Sequence, residues 1–133
     1  MSQRILVVDD NEDNRLLLND LLSGAGYEVI EAAAGDEAVR LAGEHVPALI
    51  LMDIQLPVIN GLEATRRIKA DTRLAHIPVI AVTSFALTGD DAKARAAGCD
   101  NYVSKPFSPR AVLAMVKSYL SNCGTTTSAS STS

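Results

Sequence analysis

The chain has 133 residues and a net charge of −4, with 47% hydrophobic and 21% charged residues. This length predicts one domain, and the mixture of residues is that of an ordinary globular protein. Nucleic-acid binding is disfavoured, since it needs a basic patch to contact phosphates and no helical pattern carries a basic stripe. Cys99 and Cys123 fit neither a disulfide framework nor a metal-ligand spacing.

The N-terminus and the apolar stretches of the chain bear on the cellular location of the protein. The N-terminus leads directly into an apolar run, without the charged and apolar regions of a signal peptide. No apolar stretch is long enough to cross a membrane. We therefore expect a cytoplasmic protein with reduced cysteines and no membrane insertion.

The first predicted elements are a strand at 5–8 and a helix at 14–26. The strand is continuously apolar, and Asp10 or Asn11 can cap the helix that follows. The apolar residues of the helix recur at a spacing that gives one stripe. This predicted stripe contains Leu17, Leu18, Leu21, Leu22 and Ala25.

The middle of the chain repeats the alternation of strand and helix. A mixed strand at 27–31 precedes a helix at 35–45, which opens with acidic residues as a helix N-terminus prefers. A second continuously apolar strand at 49–52 precedes a helix at 61–71. This alternation favours parallel strands joined by helical crossovers.

The last predicted elements follow the same order. They are strand 79–82, helix 89–97, strand 101–104 and helix 108–121. The helix at 89–97 has an apolar face made only of alanine, so we expect it to be the least firmly packed. A serine and a proline at the start of the last helix are suited to the N-cap and the first turn.

We expect a single domain over residues 1–122 and a polar tail over 123–133. The tail is rich in threonine and serine, and it has too little apolar surface to offset the entropy lost on ordering. We therefore expect it to be disordered.

The strand patterns predict an α/β fold. Continuously apolar strands are buried on both faces and belong in the centre of a sheet, whereas mixed strands suit its edges. With right-handed crossovers, this favours a flavodoxin-like (βα)5 doubly wound parallel sheet with strand order 2-1-3-4-5. In such sheets, ligands bind beyond the carboxyl ends of the strands, where the winding reverses.

Polar side chains follow the predicted strands at this edge. Asp9 and Asp10 follow the first strand, Asp53 follows the third, and Thr83 and Lys105 follow the fourth and fifth. Mg²⁺ takes oxygen ligands and usually binds one or two carboxylates together with phosphate and water. With the cation present, Asp53 can act as a nucleophile that forms an aspartyl phosphate, while Thr83 and Lys105 contact the phosphoryl oxygens.

Each of these residues also has an ordinary structural role. A single aspartate after a strand is often a helix cap, which can apply in part to Asp10. Thr83 alone could be a strand-end residue and Lys105 a solvated surface lysine. Tyr102 could simply pack at the edge of the sheet. Their joint placement at one edge favours the functional interpretation.

Five motifs resemble those of the receiver domains of two-component response regulators. They are Val8-Asp9-Asp10-Asn11, Met52-Asp53-Ile54-Gln55-Leu56-Pro57, Gly61, Val82-Thr83-Ser84 and Tyr102-Val103-Ser104-Lys105-Pro106. The resemblance covers residues 4 to about 121. The segments after Met52 and Val82 are similar to single-domain regulators of the DivK type and to the receivers of hybrid kinases.

The resemblance implies specific roles. Asp9, Asp10, Asp53 and the backbone carbonyl of Gln55 would hold Mg²⁺, and Asp53 would accept phosphate from a histidine kinase or a histidine phosphotransfer protein. Lys105 would contact the phosphate. Thr83 and Tyr102 would form a conformational switch that changes contacts with a downstream protein.

Such a regulator is a stoichiometric phosphoacceptor rather than an enzyme. It catalyses only its own phosphotransfer and its own dephosphorylation. We expect the dephosphorylation to be slow here, because Gln55 and Phe85 would flank the attacking water and neither is a strong acid or base. Its partners would be the phosphodonor and a protein target, not DNA.

Other functions fit the motifs less well. A haloacid-dehalogenase-like phosphatase needs an acid at the position of Gln55, and a flavodoxin needs a phosphate loop rich in Ser, Thr and Gly after the first strand. A pseudo-receiver would usually lack one of the motifs. The receiver portion of a hybrid kinase, or a phosphorelay intermediate, stays open as the alternative to a stand-alone regulator, although Met1 close to the first strand favours the latter.

Overall fold

The computed structural model describes residues 3–54, 56, 59–83, 95–104 and 108–124, with the backbone alone at Thr83, Ser104 and residues 121–124. All strand pairings are parallel, and the order is β2-β1-β3-β4-β5, as predicted. The strands are β1 Arg4–Val8, β2 Glu28–Ala32, β3 Leu49–Asp53, β4 Val79–Thr83 and β5 Asn101–Ser104. The long helices are α1 Glu12–Gly24, α2 Gly35–His45, α3 Gly61–Ala70 and the C-terminal helix Pro109–Gly124.

The sheet separates two apolar layers, because alternate residues of a strand point to opposite faces. One layer packs the sheet against α2 and α3, and the other packs it against α1 and the C-terminal helix. β3 is buried along its whole length. This burial on both faces explains why the central strands are continuously apolar, whereas β2 at the edge is mixed.

Helix α1 begins at Glu12 because Asn11 caps it. The side-chain oxygen of Asn11 accepts from the N–H groups of Asp13 at 2.9 Å and Asn14 at 3.2 Å. Leu18 and Leu22 are buried, but Leu17 is 44% exposed. The predicted stripe was therefore wrong at Leu17, which is turned about 100° around the helix from Leu18.

The other long helices agree closely with the predicted bounds. Helix α2 spans the predicted residues, and α3 ends one residue earlier than predicted. Asn60, which precedes α3, caps it by accepting from the N–H of Glu63 at 2.9 Å. The C-terminal helix begins at Pro109, and Ser108 Oγ accepts from the N–H of Ala111 at 3.4 Å.

The predicted helix at 89–97 lies largely outside the described residues. Its last residues, 95–97, are helical. Gly98 then turns the chain with φ +107°, a conformation that glycine adopts without strain. At the other predicted boundary, the C-terminal helix continues through Gly124, and residues 125–133 of the tail lie outside the described part.

Cys99, which directly follows Gly98, is buried. It is 8% exposed, and its Sγ donates to Thr65 Oγ1 at 3.8 Å. Burial raises the pKa of the thiol above its ordinary value, so the sulfur stays protonated near neutral pH.

The end of α2 contains a strained residue. Val46 is the C-cap and lies in the left-handed region, with φ 45° and ψ 66°, and it is 44% exposed. A β-branched side chain in this region costs roughly 1–2 kcal/mol, which glycine avoids.

We predict that Val46→Gly is more stable than Val46→Ala by about 1 kcal/mol, because both remove the side chain but only glycine relieves the backbone. Ala114, exposed in the C-terminal helix, is the matched control. There, Ala114→Gly should cost about 1 kcal/mol. Urea denaturation measures both differences, and a Val46→Gly variant less stable than Val46→Ala would contradict the strain.

Candidate functional site

The strand register brings the ends of β1 and β3 to the same level. Val8 pairs with Met52, so the next residues, Asp9 and Asp53, lie side by side at the carboxyl ends of β1 and β3. This is where the winding of the sheet reverses, since β1 lies between β2 and β3. The fold therefore places the carboxylates at the edge where doubly wound sheets bind their ligands.

Asp9, Asp10 and Asp53 form a compact acidic cluster. One carboxylate oxygen from each lies within 4.8 Å of the others. Asp9 and Asp53 are each 2% exposed, whereas Asp10 is exposed. Three oxygen donors at this spacing suit a hard divalent cation, and the exposed carboxylate leaves one side accessible to water and phosphate.

Helix α1 fixes the carboxylate of Asp9. Oδ1 accepts from the backbone N–H of Asn11 at 2.9 Å, and Oδ2 accepts from Asn14 Nδ2 at 3.3 Å. Both contacts come from the N-terminal end of α1, where unpaired N–H groups and the helix dipole favour a negative charge. Asp9 is thus oriented by the protein before any ligand binds.

The first residue of α3 is held tightly against the end of β3. The N–H of Gly61 donates to the carbonyl of Ile54 at 2.8 Å, and the N–H of Ile54 donates to the carbonyl of Val82 at 3.0 Å. A Cβ on Gly61 would lie 2.8 Å from the carbonyl carbon of Asp53 and from Ile54 Cα, too close for any other residue. Glycine therefore allows α3 to start directly beside the end of β3.

The remaining predicted site residues are described to different extents. The backbone of Thr83 ends β4 and pairs with Ser104, one position beyond the pair Asp53–Val82. Tyr102 is half-buried and packs against the layer that contains α2 and α3. Gln55 and Lys105 lie outside the described residues.

The residues that hold Asp9 in place were not predicted from the sequence. Besides Asn14, these are Arg15 in α1 and Glu31 in β2, which form a half-buried ion pair at 3.2 Å. Asn14 and Arg15 lie in the first turns of α1, just after Asp9 and Asp10. This position in the sequence could have identified them as neighbours of the cluster. The partner on β2 could not be identified in this way, because it depends on how α1 lies across the sheet.

A shallow pocket lies at the opposite, amino-terminal edge of the sheet. Arg4, Glu28, His45 and His76 line it, among others. Among the described residues, no histidine belongs to a group of three potential metal ligands, since the acidic cluster is the single such group there. The chemistry of the site therefore lies at the carboxyl edge, away from this pocket.

In the part of the chain that the structure describes, no helix has both the length and the apolar character needed to span a membrane.

Comparisons with known proteins agree with this geometry. A family model described as the response regulator receiver domain matches residues 5–117. The polar-differentiation response regulator DivK of Brucella ovis is 51% identical over 120 residues, covering 90% of this chain and 98% of that protein.

Solved structures give the same result. The receiver domain of a sensor histidine kinase from Pseudomonas aeruginosa, with a magnesium ion coordinated in its active-site cleft, has a TM-score of 0.85 and 36% identity, covering 91% of this chain and 99% of that one. The chemotaxis response regulator CheY4 of Vibrio cholerae has a TM-score of 0.85 and 27% identity, covering 90% and 99%. With the matched motifs and the fold, these findings establish that the chain belongs to the response regulator receiver family of two-component signalling.

Proposed function

We propose that this chain is a phosphoacceptor response regulator in which Asp53 takes a phosphoryl group from a phosphohistidine of a kinase or phosphotransfer protein. The observation that carries the proposal is the cluster of Asp9, Asp10 and Asp53 at the carboxyl edge of the sheet, with their oxygens within 4.8 Å of one another. Receiver domains interact with kinases and with downstream targets, which gives the cluster its partners.

The residues fit a magnesium ion. Asp10 and Asp53 would hold it, with Asp9 contributing directly or through water and the backbone carbonyl of Gln55 completing the set. When bound, the ion would supply positive charge to the phosphoryl oxygens. The magnesium seen in the kinase receiver from Pseudomonas aeruginosa supports this assignment.

The reaction is a direct transfer between protein side chains. A carboxylate oxygen of Asp53 attacks phosphorus, an O–P bond forms, and the N–P bond of the phosphohistidine breaks. The imidazole nitrogen keeps the bonding electron pair and then takes up a proton from water. Lys105 would neutralise a phosphoryl oxygen, and the hydroxyl of Thr83 would donate to another.

The output would be a change of protein contacts. Phosphate would draw the Thr83 hydroxyl towards Asp53, and Tyr102 would move further into the layer it already touches. Such a change is a shift between two populations, so phosphate must bind one of them better. Phosphotransfer would be stoichiometric, with slow autodephosphorylation as the only further turnover.

A stand-alone regulator is better supported than the receiver portion of a hybrid kinase. The DivK protein from Brucella ovis is matched over 98% of its own length at 51% identity, whereas the kinase receiver is 36% identical. We also propose that the phosphotransfer takes place in the cytoplasm. The free thiol of Cys99 fits that reducing compartment.

We predict that Asp53 is the single site of phosphorylation. Incubation with magnesium and acetyl phosphate, borohydride reduction and mass spectrometry should locate the adduct at residue 53. Asp53→Asn, which keeps the shape of the side chain, should abolish it, while Asp20→Asn in α1 should not. Undiminished labelling of Asp53→Asn would refute the assignment.

We predict that Asp10→Ala lowers magnesium affinity more than about tenfold while raising the melting temperature of the metal-free protein by a few degrees. The variant loses a ligand and also the repulsion of a third carboxylate. Asp20→Ala changes the net charge equally at an exposed site outside the cluster, so it controls for general charge effects. Calorimetry that finds equal magnesium affinity in both variants would count against Asp10 as a ligand.

We predict that phosphorylation alters amide exchange over residues 84–106 and that Thr83→Ala and Lys105→Ala suppress the change. Thr83→Ser keeps the hydroxyl and should preserve it. Hydrogen-exchange mass spectrometry of fully phosphorylated samples separates this effect from poor phosphate loading. The switch mechanism fails if both alanine variants respond like the wild type.

A further inference from the structure

Arg15 links the backbone carbonyl of Asp9, in the acidic cluster, to the edge strand β2. Its Nη1 donates to the backbone carbonyl of Asp9 at 2.6 Å, and its Nε donates to Glu31 Oε1 at 3.2 Å. A guanidinium presents several donors in a rigid plane, so one side chain can hold both acceptors at once.

Glu31 is itself held in place. While Oε1 accepts from Arg15, Oε2 accepts from Asn19 Nδ2 at 2.6 Å. The side chains of Arg15 and Glu31 are only 17% and 33% exposed, so water screens the pair less than it screens a surface ion pair. Arg15 is therefore fixed by a partner that is also fixed.

This arrangement ties both backbone groups of Asp9 to β2. The N–H of Asp9 donates directly to the carbonyl of Ala32 at 3.1 Å, and its carbonyl is held through Arg15 and Glu31. That carbonyl belongs to the peptide bond that leads to Asp10. Because the peptide is planar, fixing the carbonyl also sets the direction in which the Asp10 residue starts.

Of the three carboxylates, that of Asp10 depends most on its backbone for its position. Asp9 and Asp53 are buried, and hydrogen bonds from α1 orient the Asp9 carboxylate, but the Asp10 side chain is exposed. The placement of an exposed carboxylate depends mainly on the backbone that carries it.

We infer that Arg15, anchored by Glu31, is a positioning residue of the divalent-cation site: it fixes the Asp9–Asp10 peptide so that the Asp10 carboxylate is already directed at the cation. The inference rests on the proposed magnesium site and names a residue that acts on it without touching the ion. Residues that orient the ligands of a metal commonly change its affinity by tenfold or more.

The positive charge of Arg15 and its positioning role would change the affinity for magnesium in opposite directions, which makes the inference testable. If the positive charge of Arg15 acted mainly by repelling a cation, its removal would tighten magnesium binding. If Arg15 acts by position, its removal weakens binding. Lysine keeps the charge but cannot bridge the two acceptors with a rigid fork, so Arg15→Lys should also weaken binding.

The chain offers a matched control at the other end of β2. Arg4 pairs with Glu28 through the same atoms at 3.4 Å, but this pair is 46% and 55% exposed and lies at the amino-terminal edge of the sheet. Arg4→Lys therefore makes the same chemical change in another arginine–glutamate pair, away from the cluster.

The experiment titrates magnesium into the wild type, Arg15→Lys, Arg15→Met and Arg4→Lys by calorimetry. We expect both Arg15 variants to bind magnesium about tenfold more weakly and Arg4→Lys to bind it like the wild type. With acetyl phosphate, the magnesium concentration for half-maximal phosphorylation should rise in the Arg15 variants, while the rate at saturating magnesium is retained. Melting temperatures in EDTA report any general loss of stability separately.

Unchanged or tighter binding in Arg15→Lys would overturn the inference, as would an equal loss in Arg4→Lys. If the wild type binds magnesium and the Arg15 variants match it, only this inference fails. If the wild type binds no magnesium, the proposed metal site fails and the inference fails with it.

Discussion

Mutual repulsion among three carboxylates is the constraint around which this molecule is organised. Their oxygens lie within 4.8 Å of one another, and two of the three side chains are almost completely buried. Like charges at this separation disfavour each other by about 1 kcal/mol in water and by several times that near a protein surface. The fold must therefore hold them together by other means, and a cation that relieves the repulsion gains affinity from it.

Several strands and helices together hold the three carboxylates in place. The parallel register of β1 and β3 sets Asp9 beside Asp53, and the start of α1 supplies hydrogen-bond donors to the carboxylate of Asp9. On the other side, Gly61 lets α3 begin against the end of β3. Each device acts on the backbone or on a buried carboxylate, which leaves the exposed Asp10 dependent on the peptide that Arg15 holds.

The two ion pairs on β2 show how position determines the role of similar residues. The pair of Arg4 and Glu28 is about half exposed, and such pairs contribute roughly 0–1 kcal/mol to stability. The pair of Arg15 and Glu31 is more shielded, and it also reaches the backbone of the acidic cluster. The same chemistry is thus a surface contact at one end of the strand and part of the site at the other.

Local sequence predicted the parts of the fold that local forces determine. Continuous apolar runs identified the central strands, and Asn11 was one of the two residues predicted to cap the first helix, since both features depend on neighbours in the chain. Leu17 was wrongly assigned to the buried face because Leu17 and Leu18 are neighbours that fit the stripe equally well until the packing of α1 selects between them. The contact between Arg15 and Glu31 could not be predicted, because it requires the angle of α1 on the sheet as well as the register of β2.

The most direct test of the account is a crystal structure grown with magnesium and beryllium fluoride, a stable mimic of the phosphoryl group. The account predicts the mimic on a carboxylate oxygen of Asp53, with magnesium held by Asp10 and Asp53 and the contact from Arg15 to the carbonyl of Asp9 intact. A mimic attached to another residue, or a magnesium ion bound away from the three carboxylates, would contradict it.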